Sequence, residues 1–262
     1  MHDGMTTKEA IVKDWLPRYT GVALEDFGGY VLLTNFHNYV EMFAQQFGVE
    51  IRGQGKPMQT ATSQKHNLTI INFGMGSAMA ATVMDLLSAI KPKAVLFLGK
   101  CGGLKKTQVG DLILPIAAIR GEGTSDDYMP PEIPALPSFR LQRAVSSTIK
   151  RHELDYWTGT VYTTNRRVWE HDKKFKKYLR KVRTMAIDME TATIFIVGFV
   201  NDIPHGALLL VSDNPMVPEG VKTSESDRKV TGQFASRHLQ IGIDALMELA
   251  VSGESVKHLR FE

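Results

Sequence analysis

Apolar residues in this chain fall into short unbroken runs, separated by longer stretches in which they recur every third or fourth position. Tyr30-Val31-Leu32-Leu33-Thr34, Leu68–Phe73 and Ala94–Leu98 are runs of the first kind. Their length and continuity predict strands buried on both faces. Between them, Tyr39–Phe47, stopped by Gly48, and Ser77–Ile90, ended by Pro92, predict helices. Ser77 is placed to cap the second, which carries one charge, Asp85, and so packs on two sides. Thr6 or Thr7 caps a first helix through Trp15, with Pro17 after it. The order strand, helix, strand, helix, strand predicts an α/β fold with a largely parallel sheet.

The second half continues the alternation. Strand is expected at Asp111–Pro115 and just beyond, a helix over Ser138–Arg151, a strand over Thr158–Thr163 and a charged helix over Asp172–Arg180. An apolar helix Met189–Val200, a strand His205–Val211 and a last helix Arg228–Val251 follow. Residues 120–137 hold four prolines and several Gly, Ser and Thr, a long loop of the kind that is functional or mobile. No linker divides the chain, so one domain is expected over 1–262.

Composition adds exclusions. At 43% hydrophobic and 23% charged, the chain is a folding one. Its net charge of +3 does not by itself imply nucleic acid. A single cysteine, Cys101, rules out a disulfide framework and favours a reducing compartment. No run reaches the ~18 apolar residues of a membrane span, and residues 1–10 have no signal-peptide core. The expectation is a cytoplasmic protein with no membrane partner.

Two glycine turns follow strands. Gly74-Met75-Gly76-Ser77 opens a helix, where backbone N–H groups can meet an anion or hydroxyl. A dinucleotide fingerprint would need glycine where Met79 stands and an acid where Gly99-Lys100 stands. Gly99-Lys100-Cys101 lacks the first glycine and the Ser or Thr of a phosphate-binding loop. Either turn can equally be tight strand-to-helix packing. The histidines show no zinc spacing, so no metal and no cofactor is expected. Residues 165–183 carry nine Lys or Arg and two acids. Trp169, Phe175 and Tyr178 within that stretch look like the buried side of a solvated basic helix, so no nucleic-acid partner is expected. Two acidic sites stand out. Asp188 and Glu190 start a strongly apolar helix, where one acid would complement the dipole. Asp213 ends the strand before Asn214-Pro215, a ligand-binding position in open α/β sheets or an Asx turn.

Together these segments resemble the purine and uridine phosphorylase superfamily, which also holds bacterial nucleosidases. The matching stretches are Phe73–Ser77, Leu98–Leu104 with Val109-Gly110-Asp111, Arg120–Ser125, Gly159–Tyr162, Asp188-Met189-Glu190 and Val211–Asn214. Over Gly123–Pro130 and Tyr162–Arg167 the chain looks most like the AMP-hydrolysing branch. The resemblance implies a three-layer fold, a twisted mixed central sheet flanked by helices. It implies a homohexamer, a trimer of dimers, in which a neighbour completes each site. Glu190 would hold the ribose 2′- and 3′-hydroxyls with Met189 against the sugar, Tyr162 would meet the purine, and Asp213, beside Ser212, would be the general acid for the base. Gly76, Ser77, Cys101 and Gly102 would bring backbone close to the sugar and anion.

The nucleophile is read from two departures. Phosphorylases of the superfamily hold phosphate with an arginine soon after the first strand and another before the Gly-x-Cys-Gly turn. Here Asn35–Val40 contains no arginine and the second position is Phe97. Phosphate then loses its charge-assisted hydrogen bonds, and water becomes the expected nucleophile. Arg52, Arg166, Arg167, Lys100 and His37 are the candidates for the substrate's own 5′-phosphate. Small nucleosidases place a water-orienting glutamate near Tyr39, so Glu122 or Asp188 would have to serve. The reaction implied is hydrolysis of AMP to adenine and ribose 5-phosphate. The alternatives are phosphorolysis of unphosphorylated nucleosides, hydrolysis as another kind of purine nucleosidase, and a nucleotide-binding protein without turnover.

Overall fold

The structure, a computed structural model, describes residues 7–251. It contains nine strands and seven α-helices among them. The strands are β1 (Tyr30–Thr34), β2 (Ile51–Arg52), β3 (Gln59–Ser63), β4 (Leu68–Asn72), β5 (Ala94–Gly103), β6 (Leu112–Gly121), β7 (Trp157–Thr164), β8 (Ala186–Asp188) and β9 (His205–Asp213). The helices are α1 (Lys8–Thr20), α2 (His37–Phe47), α3 (Ser77–Leu87), α4 (Phe139–Arg151), α5 (Lys173–Lys181), α6 (Thr191–Val200) and α7 (Ser224–Val251).

All strands join one mixed sheet in the order β2-β3-β4-β1-β5-β8-β7-β6-β9, and β9 also pairs with β5. The last five strands therefore close on themselves, while β2, β3, β4 and β1 extend from β5 as an open flank. Parallel pairs are β1–β4, β1–β5, β5–β9, β6–β7 and β7–β8. This is the expected mixed sheet, with a ring closure that the linear alternation of elements did not announce.

Successive side chains of a strand point to opposite faces, and here both faces are covered. Val31 and Leu33 enter a core shared with α1, α3 and α6, while Tyr30 and Leu32 enter a second core with α2, α4 and α7. That is why the β1 run is apolar without alternation. A smaller cluster of Leu104, Tyr162, Trp169, Leu179 and Ile187 packs under α5.

Several boundaries differ from expectation for local reasons. Thr7 caps α1, and Thr6 lies outside the described residues. Pro17 sits inside α1, which continues to a left-handed Gly21. The β5 run does not stop at its glycines, because Gly99–Gly103 stay paired with β9 and β8. The last helix begins at Ser224, not Arg228. Strands β2, β3 and β8 were not anticipated. The expected loop begins two residues later than 120, since Arg120 and Gly121 still belong to β6, and Arg120 pins it: its five N–H donors reach Ser125, Asp126 and the carbonyls of Met129, Pro130 and Ile133.

Candidate active site

The carboxyl ends of β1, β7, β8 and β9, with the far half of β5, surround an open cavity of about 710 Å³, counting space that opens to solvent. Its wall includes Asn35, Lys100, Cys101, Gly102, Arg166, Arg167, Trp169, Asp188, Met189, Glu190, Ser212, Asp213 and Lys222. Strand carboxyl ends are where α/β sheets bind small ligands.

Asp213 is aimed by an irregularity in the sheet. Cys101 pairs with Val211 and Gly102 with Asp213, so Ser212 is the extra residue of a bulge. A side chain at position 102 would collide with Pro215, where an added Cβ lies 2.8 Å from Cγ. Glycine there lets the Asp213–Pro215 turn close over β5. Ser212 Oγ donates to Asp213 Oδ1 at 2.7 Å. Burial pushes the Asp213 carboxyl above its ordinary range, against that hydrogen bond and the charges of Lys222 and Arg167. The group is biased toward holding a proton.

Glu190 comes from the β8–α6 connection. Its carboxylate accepts from Gly76 N–H at 2.7 Å and Met189 N–H at 3.2 Å, with the Asn35 amide also hydrogen-bonded to it. Gly76 has φ of 93°, a conformation that suits glycine. Burial, then the charge of Asp188, raise Glu190 to about 8. Asp188 is the acid that serves the helix. It accepts from Thr191 N–H, Thr191 Oγ1, Glu190 N–H and Thr163 Oγ1. Both acids line the cavity, but Asp188 is committed to the start of α6 and Glu190 is not.

Ser77 does not cap α3, whose N-cap is Gly76; its hydroxyl instead donates to the Met189 carbonyl at 2.7 Å. Gly76 and Ser77 thus hold Glu190 and Met189 from behind. Cys101 is buried and its thiol is pushed well up by burial and by Asp188 and Asp213, so it is inert packing in the wall. Lys100 is buried, with its ammonium on Asp227 at 3.0 Å and Thr231 at 2.6 Å. Arg166 pairs with Asp172 and Arg167 with Glu170, both half-exposed.

Besides Gly76 and Ser77, three expected residues lie off the cavity. Tyr162 packs edge-on against Phe175 and Tyr178, and the aromatics that reach the wall are Trp169 and Phe36. Arg52 pairs with Glu50 on β2. His37 meets Glu41 at 3.0 Å and Gln59. Of the two expected water activators, Glu122 is absent from the wall and holds Ser125 N–H and Thr193 Oγ1. Asp188 reaches it with both oxygens already accepting. Sequence reasoning missed Asn35, Trp169 and Lys222. Asn35 follows β1 directly and could have been found from that position; its Oδ1 is buried with no hydrogen-bond partner.

Comparison with known proteins shows the family. A protein from Bacteroides thetaiotaomicron, solved as an AMP nucleosidase, superposes with a TM-score of 0.84 at 57% identity, covering 95% of this chain and 100% of that one. The Escherichia coli K12 AMP nucleosidase is 30% identical over 91% of this chain, and the match spans 58% of that longer protein. A uridine phosphorylase from Treponema pallidum is 26% identical over 75% of this chain and 81% of its own length. The phosphorylase superfamily model matches residues 30–248, and the chain belongs to that superfamily.

Proposed function

We propose that this protein hydrolyses the N-glycosidic bond of AMP to adenine and ribose 5-phosphate. The observation that carries the reading is the pairing, in one cavity, of a buried carboxyl, Glu190, with a half-buried one, Asp213, in different environments. Asp213 is biased toward its acid form and Glu190 is held by backbone donors. The likeness to proteins named AMP nucleosidase supports it.

Cleavage leaves positive charge on the sugar and negative charge on the purine. Asp213 donates its proton to the departing base, at N7, so that adenine leaves neutral. Glu190 accepts from the vicinal ribose hydroxyls, and those donors favour its charged form. Its charge then lies where the sugar ring becomes cationic. Trp169 supplies an apolar wall for the base. Asn35 Oδ1 requires a donor, since a buried unpaired oxygen costs about 1–3 kcal/mol. The attacking water is assigned to it; as the water's oxygen bonds to C1′ of the sugar one of its protons is released, which balances the proton that Asp213 gave to the base. Cationic side chains in the wall favour a phosphorylated substrate over a nucleoside. The assembly we propose is a cytoplasmic homohexamer of one-domain chains, with neighbouring subunits completing each site.

Product analysis of AMP and adenosine incubations, each with and without inorganic phosphate, tests the reading. Adenine and ribose 5-phosphate from AMP in phosphate-free buffer are expected. Activity that requires phosphate and yields a sugar 1-phosphate would identify a phosphorylase instead.

A further inference from the structure

The cations at the cavity are not equally neutralised. Arg166 has Asp172 and Arg167 has Glu170, one carboxylate to each guanidinium. Lys100 and Lys222 share a single carboxylate: both ammoniums lie on Asp227 Oδ1, at 3.0 and 2.9 Å. One positive charge therefore remains at this pair. Both ammoniums also face the ring of Phe36, at 4.2 and 6.0 Å from its centroid, and Phe36 lines the cavity. Burial works to raise Asp227, but its bonds to Lys222 and Lys100 outweigh that and hold it ionised.

The two lysines differ in availability. The Lys100 side chain is 2% exposed and already donates to Asp227 and Thr231. The Lys222 side chain is 21% exposed, lines the cavity and has donors to spare beyond Asp227. Its field reaches Asp213 and Cys101, which places it beside the reacting end of the cavity. Lys100 is then the structural half of the pair, fixing Asp227 and the start of α7. Lys222 is the half that can meet an anion.

We propose that Lys222 binds the 5′-phosphate of the substrate and sets the preference for a nucleotide over a nucleoside. The proposal rests on the hydrolytic reading of the same cavity. Asp227 holds the ammonium in place while the site is empty, and the phosphate dianion supplies the charge that one carboxylate leaves unmet.

The test uses the full-length enzyme with AMP as substrate, and ribose 5-phosphate and adenine as competing products. In Lys222→Met, KM for AMP and Ki for ribose 5-phosphate should both rise about 10–100-fold, the scale of one charge-assisted contact. Ki for adenine, which carries no phosphate, should stay within about threefold on the same reasoning. Lys222→Arg should recover most of the ribose 5-phosphate affinity, because the charge is kept. An unchanged Ki for ribose 5-phosphate in Lys222→Met overturns the proposal, as does an equal loss for both products. Absence of adenine release from AMP by the unaltered enzyme defeats the hydrolytic reading itself, and is seen before any variant is made.

Discussion

Asp213 gains its proton affinity from where β9 ends, not from a charged partner. Burial favours the neutral acid, and Ser212, Lys222 and Arg167 work against it. Asp213→Asn keeps the shape and removes the proton. Turnover of AMP should fall at least ~10²-fold with the fold retained, read as kcat alongside a thermal melt. Asn35→Ala should lower kcat by about 10-fold or more with little change in KM, because an oriented water is used only in the chemical step. Equal loss in KM would assign Asn35 to the substrate. Glu190 carries a stability signature. Its folded value near 8 exceeds its ordinary 4.5, so the folded state holds the proton longer. Stability from this group is fully present below about pH 4.5 and is lost as pH rises through about 8. Denaturant midpoints across that window should fall in the unaltered protein and fall less steeply in Glu190→Gln, which keeps the raised Asp188 and Asp213. Asp213, Glu190 and Asp188 were legible because acids are unusual beside apolar runs. Lys222 was not, since a lone lysine after a Pro-Gly turn has no local pattern to mark it. Which acid is committed to the start of α6 and which is not is decided by Thr163 and Gly76, far away in sequence.

At the level of elements, the site depends on departures from regular structure. The bulge at Ser212 turns Asp213 into the cavity, and the β8–α6 join presents Glu190. Strand β8 is three residues long between a basic helix and an apolar one, too short for periodicity to show. The extension of β5 through five glycine-rich positions was hidden for the opposite reason, because glycine ordinarily signals a strand's end. It survives here by pairing on two edges. Loop 120–137 was legible as a loop but not as a rigid one. Arg120 has a side chain 5% exposed and fills all five donors within it. Arg120→Met keeps the stem and strands those acceptors. It should lower stability by at least about 2 kcal/mol and open 120–137 to limited proteolysis. A loop cut no faster than in the unaltered protein would show that its other ties, Tyr128 to Asp85 and the Ala118–Ala135 bridge among them, hold it without Arg120.

At the scale of the molecule, the sheet order places Arg52 away from the cavity of its own chain. β2 is four strand steps from β5, roughly 19 Å at the usual inter-strand spacing. Arg52 also sits on the open edge, half-held by Glu50. If it serves catalysis in the proposed homohexamer, it serves a neighbour's site. Subunit mixing separates the cases. Arg52→Ala subunits keep Asp213, and Asp213→Asn subunits keep Arg52. In a mixed two-fold pair, one site receives both intact residues and the other receives neither. Random reassembly of equal amounts makes half the pairs mixed, so about a quarter of all sites should be restored. The measurement is AMP hydrolysis after co-refolding, compared with each variant alone. Recovery toward that fraction places Arg52 across the interface. Activity no higher than the mean of the two variants confines its effect to its own chain, where the geometry of β2 leaves it only the salt bridge to Glu50.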